Sequence, residues 1–175
     1  CEVPSFHPKT HINLMLEHWL ELEEELHNSF YVIAIHTSFR PYRLAYALNR
    51  NLHIQLRRSQ EDLDLKRDDT DFHFPLFEYN NPNYFHQYDL IGNRSIQVGK
   101  SDGIIHYEEV ENSLYSIGYL IPEHRKVDYF LKVDFDDNCL PLKEALHRIN
   151  KIRGVQSAYI LNNSQIKSIN NLIFD

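Results

Sequence analysis

Val127-Asp128-Tyr129-Phe130-Leu131-Lys132-Val133-Asp134-Phe135 decides the fold. Val127, Tyr129, Leu131, Val133 and Phe135 recur at every second position, the period of a β-strand with one face on a core. Asp128 falls on the opposite face, with Phe130 and Lys132. Asp136-Asp137-Asn138 closes the strand and supplies a helix cap. Leu142, Ala145, Leu146, Ile149 and Ile152 follow at helical spacing, and Gly154 is a favourable stop, so a helix is expected over about 139–152. Residues 155–161 read as the next strand.

The same order occurs upstream. Residues 30–36 form a β-branched and aromatic run, a buried strand. Ser38 is placed to cap a helix and Pro41 sits in its first turn, where a missing N–H is harmless. Leu44, Ala45, Leu48 and Leu52 give that helix, about 40–51, one apolar face. Residues 53–57 then alternate as an edge or half-buried strand. Two strand–helix–strand units imply an α+β fold: a two-layer sandwich with a mostly antiparallel sheet and two main helices on one face. The expected topology is ferredoxin-like with added strands.

Those added strands come from the middle of the chain. Residues 72–79 read as a strand that Pro75 demotes to an edge or bulge, and 84–91 as its antiparallel return across Asn80-Asn81-Pro82-Asn83. Residues 104–107 and 115–121 are further candidates, extending the sheet or forming a subdomain. The stretch 92–103 holds three of five glycines and is expected to be the loosest. At the ends, 1–11 reads as an irregular arm, 12–17 as a short strand before the acidic Glu23-Glu24-Glu25, and 169–174 as a last short strand. The expected organisation is the arm plus a single domain over 12–175.

Composition bounds the function. The chain of 175 residues is 42% hydrophobic and 25% charged, so it can bury a core. Lys and Arg total 18 against 25 Asp and Glu, a net charge of −7, which argues against general nucleic-acid binding. Arg50, Arg57, Arg58, Lys66 and Arg67 lie near one another among acidic neighbours and read as a solvated face. Cys1 and Cys139 form no metal or disulfide pattern, which leans towards a reducing cytoplasm. A lipoprotein processed at Cys1 is the alternative; without that lipid, no membrane association is expected. Eleven histidines are dispersed without ligand spacing, and Asp134-Phe135-Asp136-Asp137-Asn138 lacks the Gly and closing Glu of a calcium loop. No metal and no cofactor is expected, and no nucleophile motif or phosphate-binding Gly-rich loop is present.

Ile121-Pro122-Glu123-His124-Arg125-Lys126-Val127-Asp128-Tyr129 spells I-P-E-x-x-x-V-D-Y. It resembles the signature of the IPExxxVDY family of small bacterial proteins. Tyr42-Arg43-Leu44-Ala45-Tyr46-Ala47-Leu48-Asn49, Arg58 with Glu61-Asp62-Leu63, Ser157-Ala158-Tyr159 and the tail Asn170 to Phe174 are similar to the same family, so the resemblance spans about 12–174. It implies kinship and carries no catalytic assignment.

The candidate functional residues come from this signature and the first helix. Pro122 is expected to end a strand, with Glu123 to Lys126 as a charged hairpin tip or connection. Glu123 and Asp128 with Arg43 could form a catalytic carboxylate group; as turn and register determinants they need no such geometry, and the structural role is favoured. Tyr129 belongs to the same signature. Tyr42, Arg43, Tyr46 and Asn49 share one helical face, a recognition surface or a solvent side with equal weight. The leading expectation is a non-catalytic module that binds a protein partner or itself. The alternatives are a small-ligand regulatory module of ferredoxin-like type, with a pocket at Asp136 to Leu142, and an enzyme using Glu123, Asp128 and Arg43.

Overall fold

The computed structural model describes residues 30–67, 70–81, 86–98, 115–134 and 142–174. The expected arm, the strands at 12–17 and 104–107, the acidic stretch 23–25, the Asp136–Asn138 cap and both cysteines lie outside them. The described chain runs β1 (Phe30–Thr37), α1 (Pro41–Leu52), β2 (Arg57–Arg58), β3 (Leu63–Arg67), β4 (Thr70–Phe74), β5 (Leu76–Asn81), β6 (His86–Gly92), β7 (Arg94–Val98), β8 (Tyr115–Tyr119), β9 (Tyr129–Asp134), α2 (Leu142–Asn150) and β10 (Val155–Leu161). Short 3₁₀ turns occupy Pro122–His124, Asn163–Gln165 and Ile169–Leu172.

One six-stranded sheet, ordered β10-β1-β9-β6-β5-β2 and antiparallel throughout, organises the fold. With α1 following β1 and α2 joining β9 to β10, the four strands β10-β1-β9-β6 read 4-1-3-2, the ferredoxin-like arrangement. β5 and β2 extend it beyond β6. The α+β sandwich expected from the two strand–helix–strand units is therefore present.

The helices bury the faces their spacing dictates. Leu44, Ala45, Leu48 and Leu52 of α1 are buried, as are Ala145 and Ile149 of α2. They pack on Ile33, Ile35, Leu90, Tyr129, Leu131 and Val133. The register sets Ile33 and Leu90 on either side of Leu131, so the row is continuous across three strands. Each fully buried side chain of this kind stabilises by roughly 1.5–3 kcal/mol. The cap at α1 differs from expectation: Arg40 is the N-cap residue and provides no side-chain cap, while Pro41 takes the first helical position. Ser38 is exposed because the neighbouring Thr37 hydroxyl takes the local hydrogen bonds instead.

The other face of the sheet is covered too. Phe30, Val32, Ala34, Ile91 and Phe130 pack against Phe72, Phe74, Leu120, Ile121, Ile166, Ile169 and Leu172. Pro75 breaks residues 72–79 into β4 and β5, which join different sheets. β3–β4 and β7–β8 are separate hairpins, linked where His73 N–H donates to Ser95 Oγ at 3.1 Å and where Gly118 lets the Phe72 ring approach its backbone. Because β8 pairs with β7 and not β9, the charged segment after Pro122 is a connection and not a hairpin tip. Three smaller expectations are corrected. Residues 53–57 bury Ile54 and Leu56 in alternation but pair only at Arg57–Arg58. Residues 169–172 coil into a 3₁₀ turn and form no strand. Val127 packs on the face opposite Tyr129, since the strand begins only at Tyr129.

Candidate functional site

The signature residues tie three segments together. Asp128 follows from the entry into β9: its N–H donates to Ile35 O at 3.2 Å, and its Oδ2 accepts Thr37 N–H at 2.8 Å. Tyr129 then donates its hydroxyl to Phe39 O at 2.8 Å. Thr37 adds a bond from its Oγ1 to Gly154 O at 2.7 Å and accepts Phe39 N–H at 3.1 Å. Gly154 has a φ of 111°, and a Cβ there would enter the Phe39 ring. The Arg43 guanidinium lies 4.2 Å from the same ring's centroid. Thr37 to Phe39, the link from β1 into α1, is thus held from four sides. Burial, and next to it the negative charge of Asp128, pushes the Tyr129 hydroxyl up to about 12, so it stays a donor.

The first half of the signature holds a different place. Asn93 is 0% exposed and every polar atom is used. Its N–H donates to Asp128 O and its carbonyl accepts Leu120 N–H, both at 2.9 Å. Its Oδ1 accepts Ile121 N–H at 3.0 Å, and its Nδ2 donates to His124 O and Val127 O at 2.9 Å. This network shapes the turn that Pro122 starts. Glu123 leaves the turn towards the C-terminal tail, accepting Ser168 N–H at 2.7 Å and its hydroxyl at 3.0 Å. Partial burial would raise the Glu123 carboxyl, but the Ser168 bonds, its own backbone N–H and the nearby His124 together outweigh it and hold the group below its usual range.

Where β1 ends and β9 begins, a cleft of about 310 Å³ opens. Thr37, Ser38, Phe39 and Pro41 form its helix side, and Asp128, Tyr129, Arg94, Arg125 and Tyr119 line the rest. Arg94 and Arg125 are exposed, and neither is ion-paired among the described residues. Arg125 lies over Tyr119, 5.6 Å from its centroid. Two cations and one carboxylate give this pocket a positive balance within a chain of net charge −7. The N-terminus of α1 adds partial positive charge, and no acidic side chain in the first turn offsets it. A second hollow beside Arg57 and Arg58 is balanced by Glu61 and Glu78 in its lining, and Arg58 pairs with Asp62.

The expected site residues divide. Asp128 and Tyr129 line the cleft, and Arg43 reaches its rim through Phe39. Glu123 is bound to the tail by Ser168, so the proposed Glu123–Asp128 pairing has its two carboxylates held by different partners. Tyr42 and Tyr46 are each 67% exposed, one turn apart on α1. Asn49 turns away from that face: it donates to Leu56 O at 3.0 Å and accepts Leu56 N–H at 2.7 Å. Reading the sequence missed Asn93, Arg94, Thr37 and Tyr119. Arg125 was visible inside the signature, but nothing local tied it to Arg94. The Asp136 to Leu142 pocket lies outside the described residues up to its last member. No group of three His, Cys, Asp or Glu side chains suited to a metal occurs among the described residues, and none of their helices is long and apolar enough to cross a membrane. No protein-family model, curated protein or solved structure matches this chain.

Proposed function

We propose that this chain is a small-ligand-binding module whose cleft takes an amino-acid-like zwitterion. The observation that carries this is that Arg94, Arg125 and Asp128 line one cleft of about 310 Å³ at the open N-terminus of α1. Unpaired arginines recognise a carboxylate in bidentate geometry. Asp128 gives one oxygen to Thr37 N–H, which leaves the other to attract an ammonium group. The volume suits a small metabolite. A ligand bridging these groups would join β1, β7, β9 and α1, giving the module a means to report occupancy.

A thermal-shift panel of amino acids, dicarboxylates and inorganic phosphate tests the reading. At a hundredfold excess over Kd a ligand stabilises by about 2.7 kcal/mol, a rise of roughly 5–10 °C for a chain this long. Amino acids should raise Tm, and Arg94→Ala or Arg125→Ala should remove the rise. Asp128→Asn should favour dicarboxylates. A panel without any shift, or shifts unchanged by the arginine variants, would exclude the site.

A second reading keeps the chain as a non-catalytic protein-binding or self-associating module. It is favoured by Tyr42 and Tyr46, aromatic, exposed and adjacent on α1. Capture from native lysate that depends on both tyrosines would support it. Membership of the IPExxxVDY family is part of the proposal and rests on the sequence match over Ile121 to Tyr129. A cytoplasmic location goes with it; a diacylated Cys1 on the native protein would refute that location.

A further inference from the structure

Among the described residues β10 is the outer strand of the six-stranded sheet, paired with β1 along one side. Its sequence, Val155-Gln156-Ser157-Ala158-Tyr159-Ile160-Leu161, holds no charge and no proline. Those are the usual means by which an edge strand avoids recruiting another strand. The register with β1 is regular from Val32 to His36, and the irregularity falls only at the strand's start. Tyr159 and Ile160 are 39% and 37% exposed, on opposite faces of this edge. A strand of this kind is open to pairing.

One side chain stands against it. Asn150, the last residue of α2, accepts Ala158 N–H on Oδ1 at 2.8 Å and donates from Nδ2 to Ala158 O at 2.9 Å. The amide occupies the donor and acceptor that an added strand would use at the middle of the edge, as a ladder partner would. The amide itself is anchored by a bond from Nδ2 to Leu146 O at 3.0 Å. Asn49 makes the same two bonds to Leu56 after α1, so each half of the fold carries this device. Only the Asn150 copy lies across a long strand edge.

We infer that Asn150 is an edge guard that suppresses pairing of β10 with β10 of a second copy of this chain. A two-fold antiparallel pairing centred on Ala158 sets Ser157 against Tyr159, Gln156 against Ile160 and Val155 against Leu161. No like charges meet within it. The basic flank at Lys151 and Arg153 comes beside the uncharged flank Asn162-Asn163-Ser164. The pairing covers part of the exposed Tyr159 and Ile160 with the uncharged Ser157 and Gln156 and is self-complementary, as a two-fold interface requires.

Sedimentation velocity over a wide concentration range tests the guard, with wild type, Asn150→Ala, Asn49→Ala and the double variant Asn150→Ala/Ile160→Lys. Asn150→Ala should self-associate about tenfold more tightly than wild type, the equivalent of roughly 1.4 kcal/mol for a freed pair of backbone groups. Asn49→Ala should match wild type, and the added lysine should reverse the effect. Equal association of folded Asn150→Ala and wild type overturns the inference. If Asn150→Ala precipitates but the lysine double variant is folded and no more associated than wild type, the guard role stands. If both are unfolded, Asn150 is a cap alone and the inference fails. Gain of a foreign partner without gain of self-association overturns the choice of a second copy.

Discussion

Removing the Asn93 side chain should be among the costliest truncations of a polar residue in the described fold. Asn93→Ala leaves Ile121 N–H and Val127 O without these partners, while His124 O loses one bond and keeps the Val127 N–H. Each buried group left unsatisfied costs about 1–3 kcal/mol, so the two together cost about 3–5 kcal/mol, around the middle of the summed range. That is a large part of the roughly 5–15 kcal/mol that holds a domain folded. With a urea slope of roughly 2 kcal/mol per molar, the midpoint should fall by about 1.5–2.5 M at an unchanged slope. Asn93→Asp keeps the acceptor for Ile121 but turns a carboxylate oxygen on two carbonyls, and should be at least as damaging at neutral pH. A midpoint shift below about 0.3 M for Asn93→Ala would refute the view that this amide builds the signature turn.

Four further outcomes follow from the same contacts. Glu123 is held below its usual range, so its contribution is present above the ordinary glutamate pKa and is lost as pH falls through the lowered folded value; exchange protection at 163–172, relative to the free-peptide rate at each pH, should fall in acid in wild type, and already be low at neutral pH in Glu123→Ala. Tyr129 has its pKa raised to about 12, so its contribution is complete below the ordinary tyrosine value near 10 and fades as pH rises towards 12; Tyr129→Phe should cost about 1 kcal/mol at neutral pH by urea titration and flatten that alkaline loss. Lys132 and Asp89 form a buried pair at 3.5 Å, with the ammonium against Phe30 and Phe174; Lys132→Met should cost about 3–5 kcal/mol, and adding Asp89→Asn should recover much of it in a double-mutant cycle. Gly154→Ala should lose at least about 1 kcal/mol through its φ alone, with further loss as the Phe39 ring is displaced, read as a drop in Tm.

Local chemistry made much of the fold legible. The helical spacing of Leu44, Ala45, Leu48 and Leu52 named the buried face of α1, because helix period and burial are coupled within a dozen residues. Pro75 was readable as a disruption, but whether it would bulge one strand or divide two sheets depends on which strands meet β4 and β5, a long-range matter. The signature announced its positions and concealed their duties. Glu123 reaches Ser168 across 45 residues and Asp128 reaches Thr37 across 91, distances over which spacing carries no information. Asn93 looked like part of a glycine-bearing loop, and its five bonds arise only when β7, β9 and the turn converge. The cleft is of the same kind: Arg94, Arg125 and Asp128 come from separate segments, so their grouping is a product of topology.

The cleft is tested most directly by two-dimensional NMR of the labelled protein during titration with the amino acid that raises Tm most. The amide signals of Thr37, Ser38 and Tyr129 and the guanidinium signals of Arg94 and Arg125 should move together and saturate with one Kd, and Arg94→Ala should weaken that Kd at least about tenfold, one lost charge-assisted contact. Shifts confined to α1 around Tyr42 and Tyr46, or a response that Arg94→Ala leaves intact, would place binding elsewhere and end the zwitterion-site proposal.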